Sequence, residues 1–156
     1  EYLATAESDP RRDLAEKLLN VFQNREFPIL AYNASFERGV IQDLADIFPD
    51  LASMLKALID KIVDPLLIVK SKTYYSNYKG LFSLKLVAPV LSPDVDYNDP
   101  DGISGGFEAS AIFWSLAADV VKDPDEVEHL RLKLLQYCKL DTEALMKVHL
   151  KLRSLA

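Results

Sequence analysis

Residues 28–37 read Pro28-Ile29-Leu30-Ala31-Tyr32-Asn33-Ala34-Ser35-Phe36-Glu37. The apolar run at its start is typical of a short buried strand, although buried helices contain runs of the same length. Ser35 is a residue type that caps helices, and an amphipathic helix is expected after it. The apolar face of that helix would carry Val40, Ile41, Leu44 and Ile47. The stretch therefore predicts a strand that runs directly into a helix.

Further helices and strands alternate around this stretch. Upstream, Ser8-Asp9-Pro10 predicts a helix start with proline at the first helical position. Downstream, Leu51–Leu58 has helical spacing, and Lys61–Pro65 reads as a second strand stopped by proline. Strands that alternate with helices indicate an α/β fold with parallel pairing. We expect few parallel strands and abundant helix.

The second half of the chain is expected to be mainly helical. Phe82–Ala88 predicts a short helix ended by Pro89, and a further helix is expected from about Gly106 to Val120. Asp123–Glu126 combines a cap, a first-position proline and a glutamate three residues after the cap. Helical spacing then continues nearly to the C-terminus, which is long for one helix, so we expect a break near Leu140–Thr142.

Composition limits the classes of function. The 156 residues suit one domain, and the net charge of −6 disfavours a passive nucleic-acid-binding module. The same negative charge disfavours a nuclease less, because bound divalent cations offset the charge of an acidic site locally. No membrane span or signal peptide is visible. The lone Cys138 fits a reducing, cytoplasmic compartment, and two histidines are too few for a zinc cluster.

Two features indicate a piece of a longer domain. The chain begins at Glu1 rather than at methionine, and two strands make a poor sheet. Upstream strands would complete the sheet. The edge that they leave open could pair with a second copy of the chain.

Two segments carry candidate site residues. Glu37, one turn into a helix after a parallel strand, would lie at the sheet edge where α/β proteins build their sites. Alternatively, Ser35 caps that helix and Glu37 complements its dipole. Tyr137 and Asp141 are four residues apart and share an apolar helix face, where a carboxylate is costly unless it is paired or binds metal. Alternatively, Asp141 caps a new helix at Thr142 and Tyr137 is a core aromatic.

Together these segments resemble a known superfamily. Asn33-x-x-Phe36-Glu37 resembles the second motif of the DEDD-type 3′→5′ exonucleases, and Tyr137-x-x-x-Asp141 resembles their third motif in its tyrosine subclass. The chain is similar, more closely, to an uncharacterised bacterial family of the ribonuclease H-like superfamily. The similar segments are residues 32–37, 62–64, 82–85 and 137–142. The first motif, an Asp-x-Glu pair on an upstream strand, is absent, and glutamate stands at position 37 where aspartate is usual.

The resemblance implies that residues 1–156 are a single domain, the C-terminal part of a ribonuclease H-like exonuclease domain. It implies a two-ion site for Mg²⁺ or Mn²⁺, with Glu37 and Asp141 as ligands and Tyr137 orienting the attacking water. Asn33 and Phe36 would contact the substrate, the single-stranded end of a DNA or RNA chain. Because the first motif is absent, we expect this piece to be inactive by itself.

Other features have competing interpretations. Asp64 could support the site or simply form the turn before Pro65. The tyrosines of residues 74–79 could stack bases or line a surface loop. Gly102-Ile103-Ser104-Gly105-Gly106 fits the Gly-x-Ser-x-Gly pattern of serine hydrolases, but a turn cluster rather than a strand precedes it. Finally, a degenerate nuclease fold could serve as a protein-interaction domain.

Overall fold

The structure is a computed structural model that describes residues 2–5, 8–22, 24–99 and 102–155. These residues are 65% helical and contain a small sheet of two parallel strands, so few parallel strands with abundant helix are confirmed. The chain divides into two compact units. We call Pro10–Phe82 the sheet unit, and Glu1–Asp9 with Ser83–Ala156 the long-helix unit. The single domain expected for residues 1–156 stays a prediction.

The sheet unit alternates helices and strands as expected. Its elements are α1 (Arg11–Phe22), β1 (Ile29–Leu30), α2 (Ser35–Ile47), α3 (Ala52–Lys61), β2 (Ile62–Val63), α4 (Pro65–Lys72) and a 3₁₀ turn (Ser76–Tyr78). Helix α1 begins one residue after Pro10, whose carbonyl accepts the Leu14 N–H at 2.9 Å. The predicted helix start is therefore correct to within one residue.

The two strands of the sheet unit run parallel. Ile29 lies opposite Ile62 and Leu30 lies opposite Val63. The pairing extends one residue further, because the Ala31 N–H donates to the Val63 carbonyl at 3.2 Å. Parallel strands end at a common edge of the sheet, so the residues that follow β1 and β2 come together there.

The core of the sheet unit joins α1, α2 and α3 to strand β2. Its buried residues include Ala15, Leu19, Ile41, Leu44, Ala45, Leu55, Leu58 and Ile62. Each fully buried leucine contributes roughly 1.5–3 kcal/mol relative to an exposed one. Two residues expected on the same face of α2, Val40 and Ile47, are exposed, so the buried stripe of α2 is narrower than predicted.

The start of α2 differs from the prediction. Its N-cap residue is Ala34 and Ser35 is already helical, so the predicted Ser35 cap is wrong. The N–H groups of Asn33 and Ala34 donate instead to the Asp64 carboxylate, at 3.0 Å each. A partner some thirty residues away thus holds the turn before α2, and local spacing does not reveal it.

The long-helix unit contains three helices in its described residues: α5 (Leu84–Leu91), α6 (Gly106–Ala117) and α7 (Pro124–Ser154). Asp123 caps α7 as predicted, since its Oδ1 accepts the N–H groups of Asp125 and Glu126 at 2.9 and 3.2 Å. Among the described residues of both units, we find no helix whose length and apolar character would let it cross a membrane.

Helix α7 is continuous over 31 residues, so the break expected at Leu140–Thr142 is wrong. Thr142 does not begin a new helix, and its hydroxyl donates back to the Cys138 carbonyl at 2.8 Å. Asp141 therefore lies inside the helix and caps nothing. Ala144 and Val148, buried on one face of α7, hold the second half of the helix against the unit.

Two other helix ends also differ from the predictions. Helix α5 continues past Pro89 to Leu91, and the burial of Leu91 and of Val87 offsets the backbone hydrogen bond that proline cannot donate. Helix α6 ends at Ala117 rather than near Val120. Asp119 adopts a left-handed conformation with φ of 53°, which turns the chain out of the helix.

Candidate functional site

The carboxyl ends of β1 and β2 meet in a network around Asp64. Its Oδ1 accepts the N–H groups of Asn33 and Leu66 at 3.0 and 2.9 Å, and its Oδ2 accepts the Ala34 N–H at 3.0 Å. The same carboxylate thus caps α4 and fixes the turn that enters α2. The turn-forming interpretation of Asp64 is confirmed, and its oxygens are occupied by backbone donors.

Asn33 sits at this edge in a left-handed conformation, with φ of 60°. Among residues with a side chain, asparagine is one of the few that visit this region readily. The turn lets the chain leave β1 and enter α2 within a few residues. Asn33 therefore has a backbone role in this structure, and its predicted contact with substrate stays a prediction.

The other residues of the predicted second motif lie in the first turn of α2. The Phe36 side chain is 74% exposed, and Glu37 is also exposed. Glu37 lies near the positive end of the helix dipole and complements it, which is the alternative role that the sequence predicted. Both side chains are accessible to a ligand, and their proposed roles stay predictions.

The tyrosine-rich segment near residue 78 is packed at one end and open at the other. Tyr78 is fully buried and makes edge contacts with Tyr75 and Phe82, at 5.4 and 5.7 Å between ring centroids. Tyr74 is 82% exposed. Tyr32 donates its hydroxyl to the Phe82 carbonyl at 2.8 Å, and burial raises its pKa. Base stacking by this segment stays a prediction, and Tyr74 presents the most accessible ring of its three tyrosines.

A second cluster, in the long-helix unit, surrounds Asp141. The Tyr97 hydroxyl donates to Asp141 Oδ1 at 3.0 Å. Tyr137, one turn earlier on α7, is close enough for the Asp141 charge to affect its ionisation. Tyr97, Tyr137 and Asp141 are all half-buried. The structure thus brings together the two predicted third-motif residues and adds Tyr97.

Both tyrosines of this cluster are neutral hydrogen-bond donors. Burial is the main cause and raises the pKa of Tyr137 to about 12, with the nearby Asp141 charge adding to the effect. The same two causes raise the pKa of Tyr97 even further. A tyrosine that stays protonated can donate to a carboxylate, a water or a phosphate oxygen, but it does not act as a base near neutral pH.

Lys85 completes the Asp141 cluster. Its ammonium lies 5.4 and 5.0 Å from the ring centroids of Tyr97 and Tyr137, within the range of cation–π attraction. It also donates to the carbonyls of Ser104 and Ile103 at 2.6 and 3.3 Å. Lys85 therefore ties α5 to the segment before α6 and places a positive charge beside the tyrosines.

Sequence reasoning overlooked two members of this cluster. Lys85 closes the Phe82–Lys85 stretch that carried part of the family resemblance, so a signal for it was present. Tyr97 precedes a turn cluster, and the residues around it follow neither a helical nor a strand period. Its contact with Asp141 joins residues 44 positions apart, which only the tertiary structure reveals.

The Gly-x-Ser-x-Gly segment does not have the surroundings of a hydrolase nucleophile. The residues described before Ser104 form no strand, and its hydroxyl donates to Glu108 Oε2 at 2.6 Å. This hydrogen bond lowers the pKa of Glu108, which makes the carboxylate a poor base. Ser104 and Glu108 instead fix the chain where it enters α6.

The Asp141 cluster contains one of the several oxygen donors that a divalent-cation site needs. Asp141 supplies the carboxylate oxygen that Mg²⁺ and Mn²⁺ prefer, with hydroxyl groups beside it. Within the described parts of the chain, however, no three acids, histidines or cysteines come together to hold an ion. Glu37 belongs to the sheet unit, and Asp141 belongs to the long-helix unit. The donor type is suitable, but the described residues of either unit bring together too few donors for a two-ion site.

The sheet unit also has a surface depression. It has a volume of about 430 Å³ and is lined by Asn20, Val21, Asn24, Arg25, Glu26 and Phe27. These residues precede β1, whereas Asn33 and Asp64 follow the strands. The depression therefore contains none of the predicted site residues.

Comparisons with known proteins bear on the first half of the chain. The model of a family described as a domain of unknown function matches residues 1–83. The matched segment includes the whole sheet unit, with Asn33 and Glu37, and ends before Tyr137 and Asp141. Neither the comparison with curated proteins nor the comparison with solved structures finds a match.

Proposed function

The chain belongs to DUF2779, a family of domains of unknown function, and we propose that it is part of a metal-dependent 3′→5′ exonuclease of the ribonuclease H-like type. The observation that carries the proposal is the half-buried Asp141 carboxylate, held by Tyr97 with Tyr137 beside it. A half-buried carboxylate is costly unless its oxygens have partners, and the Tyr97 hydroxyl donates to one of the two. The resemblance of Tyr137-x-x-x-Asp141 to the third exonuclease motif makes a cation our proposed partner for the other.

Each residue has a proposed role. Asp141 would hold a divalent cation, and Tyr137, protonated at neutral pH, would donate a hydrogen bond to a water or to a phosphate oxygen of the substrate. Glu37 is the second proposed ligand. Asn33 and Phe36 are the proposed substrate contacts. When bound, Mg²⁺ or Mn²⁺ would supply the activation of water and the stabilisation of the leaving 3′ oxygen.

We propose in addition that this chain does not cleave nucleic acid by itself. A two-ion site needs more carboxylates than the described residues of either unit gather. Any activity of the protein would then depend on further acidic residues, as the absent Asp-x-Glu motif suggests. The proposed substrate is the single-stranded 3′ end of DNA or RNA, which an acidic protein would approach through its bound cations rather than through its overall charge.

The test is a nuclease assay on the protein at its native length. A 5′-labelled single-stranded oligonucleotide is incubated with Mn²⁺ and either the wild type, Asp141→Asn or Glu128→Gln. Glu128 is an exposed acid on the same helix and serves as the matched control. Stepwise shortening by the wild type and the control, lost in Asp141→Asn, would support the proposal. Equal activity in all three would rule out Asp141 as a ligand.

A second candidate function is protein binding by a degenerate nuclease fold. Helix α6 is almost entirely apolar, yet it has no buried residue. Its Phe107 and Trp114 side chains are 92% and 70% exposed and lie seven residues apart, on one face. Exposed aromatic residues are typical of interaction surfaces. If the native-length protein folds and shows no nuclease activity with Mn²⁺, this alternative replaces the exonuclease proposal.

A further inference from the structure

One segment of the sheet unit has a charge opposite to that of the whole chain. Residues 65–82 contain three lysines and no aspartate or glutamate, although acids outnumber lysine and arginine by 24 to 18 in the chain. Lys70 and Lys72 lie in the last turn of α4, and Lys79 follows the 3₁₀ turn. All three are exposed, and none forms an ion pair with a residue that the structure describes. Their charges are therefore available to a ligand.

The nearest acid before these lysines in the chain, Asp64, caps the opposite end of α4. At about 1.5 Å per helical residue, it lies about 9–12 Å along the helix axis from Lys70 and Lys72. That distance exceeds the Debye length of about 8 Å at physiological salt. Backbone N–H groups that donate to Asp64 offset its charge further. A positive surface can thus form locally in an acidic protein.

Tyr74 lies between these lysines in the sequence, and its side chain is 82% exposed. The backbone on both sides of it is ordered by hydrogen bonds. The Thr73 N–H donates to the Val69 carbonyl at 3.1 Å, and the Tyr78 N–H donates to the Tyr75 carbonyl at 2.9 Å. The buried Tyr78 ring packs against Tyr75 and anchors the segment. The Tyr74 ring is therefore displayed on a fixed backbone, which lowers the entropy cost of stacking a ligand on it.

Stabilisation of helix α4 accounts for two of the three lysines. Cations at the C-terminal end of a helix complement its dipole, which gives Lys70 and Lys72 a structural role as well. Lys79 has no such role, and it adopts a left-handed conformation, with φ of 50°, that glycine and asparagine adopt more readily. Its N–H donates to the Ser76 carbonyl at 3.1 Å, so the turn keeps the Cα atoms of Lys72 and Lys79 within about 20 Å. About six nucleotides span that distance at the duplex spacing of about 3.4 Å.

From these observations we propose that the sheet unit binds single-stranded nucleic acid on the lysine–tyrosine surface, formed by Lys70, Lys72, Tyr74 and Lys79. Tyr74 stacks on a base, and the lysines neutralise the phosphates beside it, which is how proteins bind single strands without reading their sequence. The inference goes beyond the proposed function, because binding needs no divalent cation and holds whether or not the protein cleaves the strand.

An anionic membrane is the other polymer-like surface that lysines and a tyrosine could bind. A helix that lies on a membrane has a basic face opposite a separate apolar face. In α4 the exposed Leu67 and Ile68 alternate around the helix with Lys70 and Lys72, so no such division exists. The structure therefore favours a nucleic acid over a membrane.

The experiment measures binding of a fluorescein-labelled oligothymidylate to the native-length protein by fluorescence anisotropy. EDTA is present, so that no cation-dependent cleavage occurs. Tyr74→Ala should weaken binding about tenfold, because the stacked base loses its platform, whereas Tyr74→Phe keeps the ring and should keep the affinity. Phe107→Ala, at an exposed aromatic residue of the other unit, is the control and should leave the affinity unchanged.

The salt dependence of binding tests the lysines. For single strands, the logarithm of the association constant falls with the logarithm of the salt concentration, with a slope of about −0.7 for each phosphate neutralised. The wild type should give a slope of about −2, and the triple variant with glutamine at positions 70, 72 and 79 should give a slope near zero. Lys56→Gln, at an exposed lysine of α3, is the matched control and should keep the wild-type slope.

Several outcomes would overturn the inference. These are no binding by the wild type at low salt, equal binding by Tyr74→Ala, and equal affinity for a duplex of the same length, in which the bases cannot stack on Tyr74. Binding to vesicles that contain phosphatidylserine, without binding to the oligonucleotide, would overturn it in favour of a membrane surface. The nuclease assay with Asp141→Asn tests the proposed function separately. Binding without cleavage would support this inference and contradict the exonuclease, whereas cleavage without the Tyr74 effect would do the reverse.

Discussion

The Asp64 carboxylate accepts the backbone N–H of Asn33 at 3.0 Å and thereby joins the residue that follows β2 to the turn that follows β1. Two more backbone N–H groups, those of Ala34 and Leu66, donate to the same carboxylate. A single side chain therefore fixes the entry to two helices. Because the acceptor is a carboxylate rather than a neutral group, we expect each of these bonds to be stronger than a bond between neutral groups.

Replacing Asp64 with alanine should lower the free energy of unfolding by about 2–3 kcal/mol, because three backbone donors lose a charged partner. Asp64→Asn, which keeps one acceptor oxygen, should lower it less. Urea denaturation followed by circular dichroism gives these values. Asp60→Ala, at an exposed acid of the preceding helix, is the control and should change stability little. Equal effects at positions 60 and 64 would contradict the proposed role of Asp64.

Asn33 allows a direct test of its backbone role. Because its φ is 60°, Asn33→Ala should cost about 1 kcal/mol and Asn33→Gly should be nearly neutral. The comparison is made by urea denaturation. Asn20→Ala, on an exposed position of α1, serves as the control and should be neutral or slightly stabilising.

Asn33→Gly also separates the backbone role of Asn33 from its proposed contact with substrate. In a native-length protein that shows nuclease activity, a stable Asn33→Gly variant with reduced activity would support substrate binding by the side chain. Full activity in that variant would limit Asn33 to shaping the turn. If alanine proves as well tolerated as glycine, a left-handed backbone at position 33 is wrong.

The partly buried tyrosines predict a loss of stability at high pH. Burial raises the pKa of Tyr32, Tyr78, Tyr97 and Tyr137, for Tyr137 to about 12, whereas tyrosines in an unfolded chain ionise near about 10. Between these values the unfolded chain binds fewer protons than the folded one. Stability should therefore fall as the pH rises above about 10.

The measurement is a titration of tyrosine absorbance, with circular dichroism recorded in parallel. Part of the rise in tyrosine absorbance should occur only at a pH above the range in which exposed tyrosines ionise, or together with unfolding. In Asp141→Asn, the pKa of Tyr137 should move back towards its ordinary value, because one of the causes of its rise is removed. Glu128→Gln should leave the titration unchanged. A single transition near 10 in the folded wild type would show that the tyrosines are more accessible than the structure indicates.

Local patterns predicted much of the fold. Asp123–Glu126 contains a complete helix start, and the structure begins α7 there. The apolar runs around Ile29 and Ile62 predicted two short strands, and both are present and parallel. The helix start depends on contacts between residues close in the sequence, and the strands depend on apolar runs that a short window reveals.

Other features depended on distant partners and were predicted wrongly or not at all. The Ser35 cap looked suitable locally, but α2 has no side-chain cap, and Asp64 holds the turn before it. Pro89 and the Leu140–Thr142 segment looked like helix ends, yet burial of neighbouring apolar residues carries both helices through. In each case a tertiary contact outweighs a local preference of about 1–3 kcal/mol.

For the candidate site, the sequence by itself determined which residue types were available: a carboxylate at position 141, a tyrosine one turn before it, and the motif residues around Asn33. Only the tertiary structure decided that Tyr97 contacts Asp141, that Lys85 lies against the Tyr137 ring, and that Asp64 accepts backbone N–H groups. The physical reason is distance along the chain. Hydrogen bonds and charge contacts between residues 30 or more positions apart depend on how elements pack, and packing has no signature in local spacing.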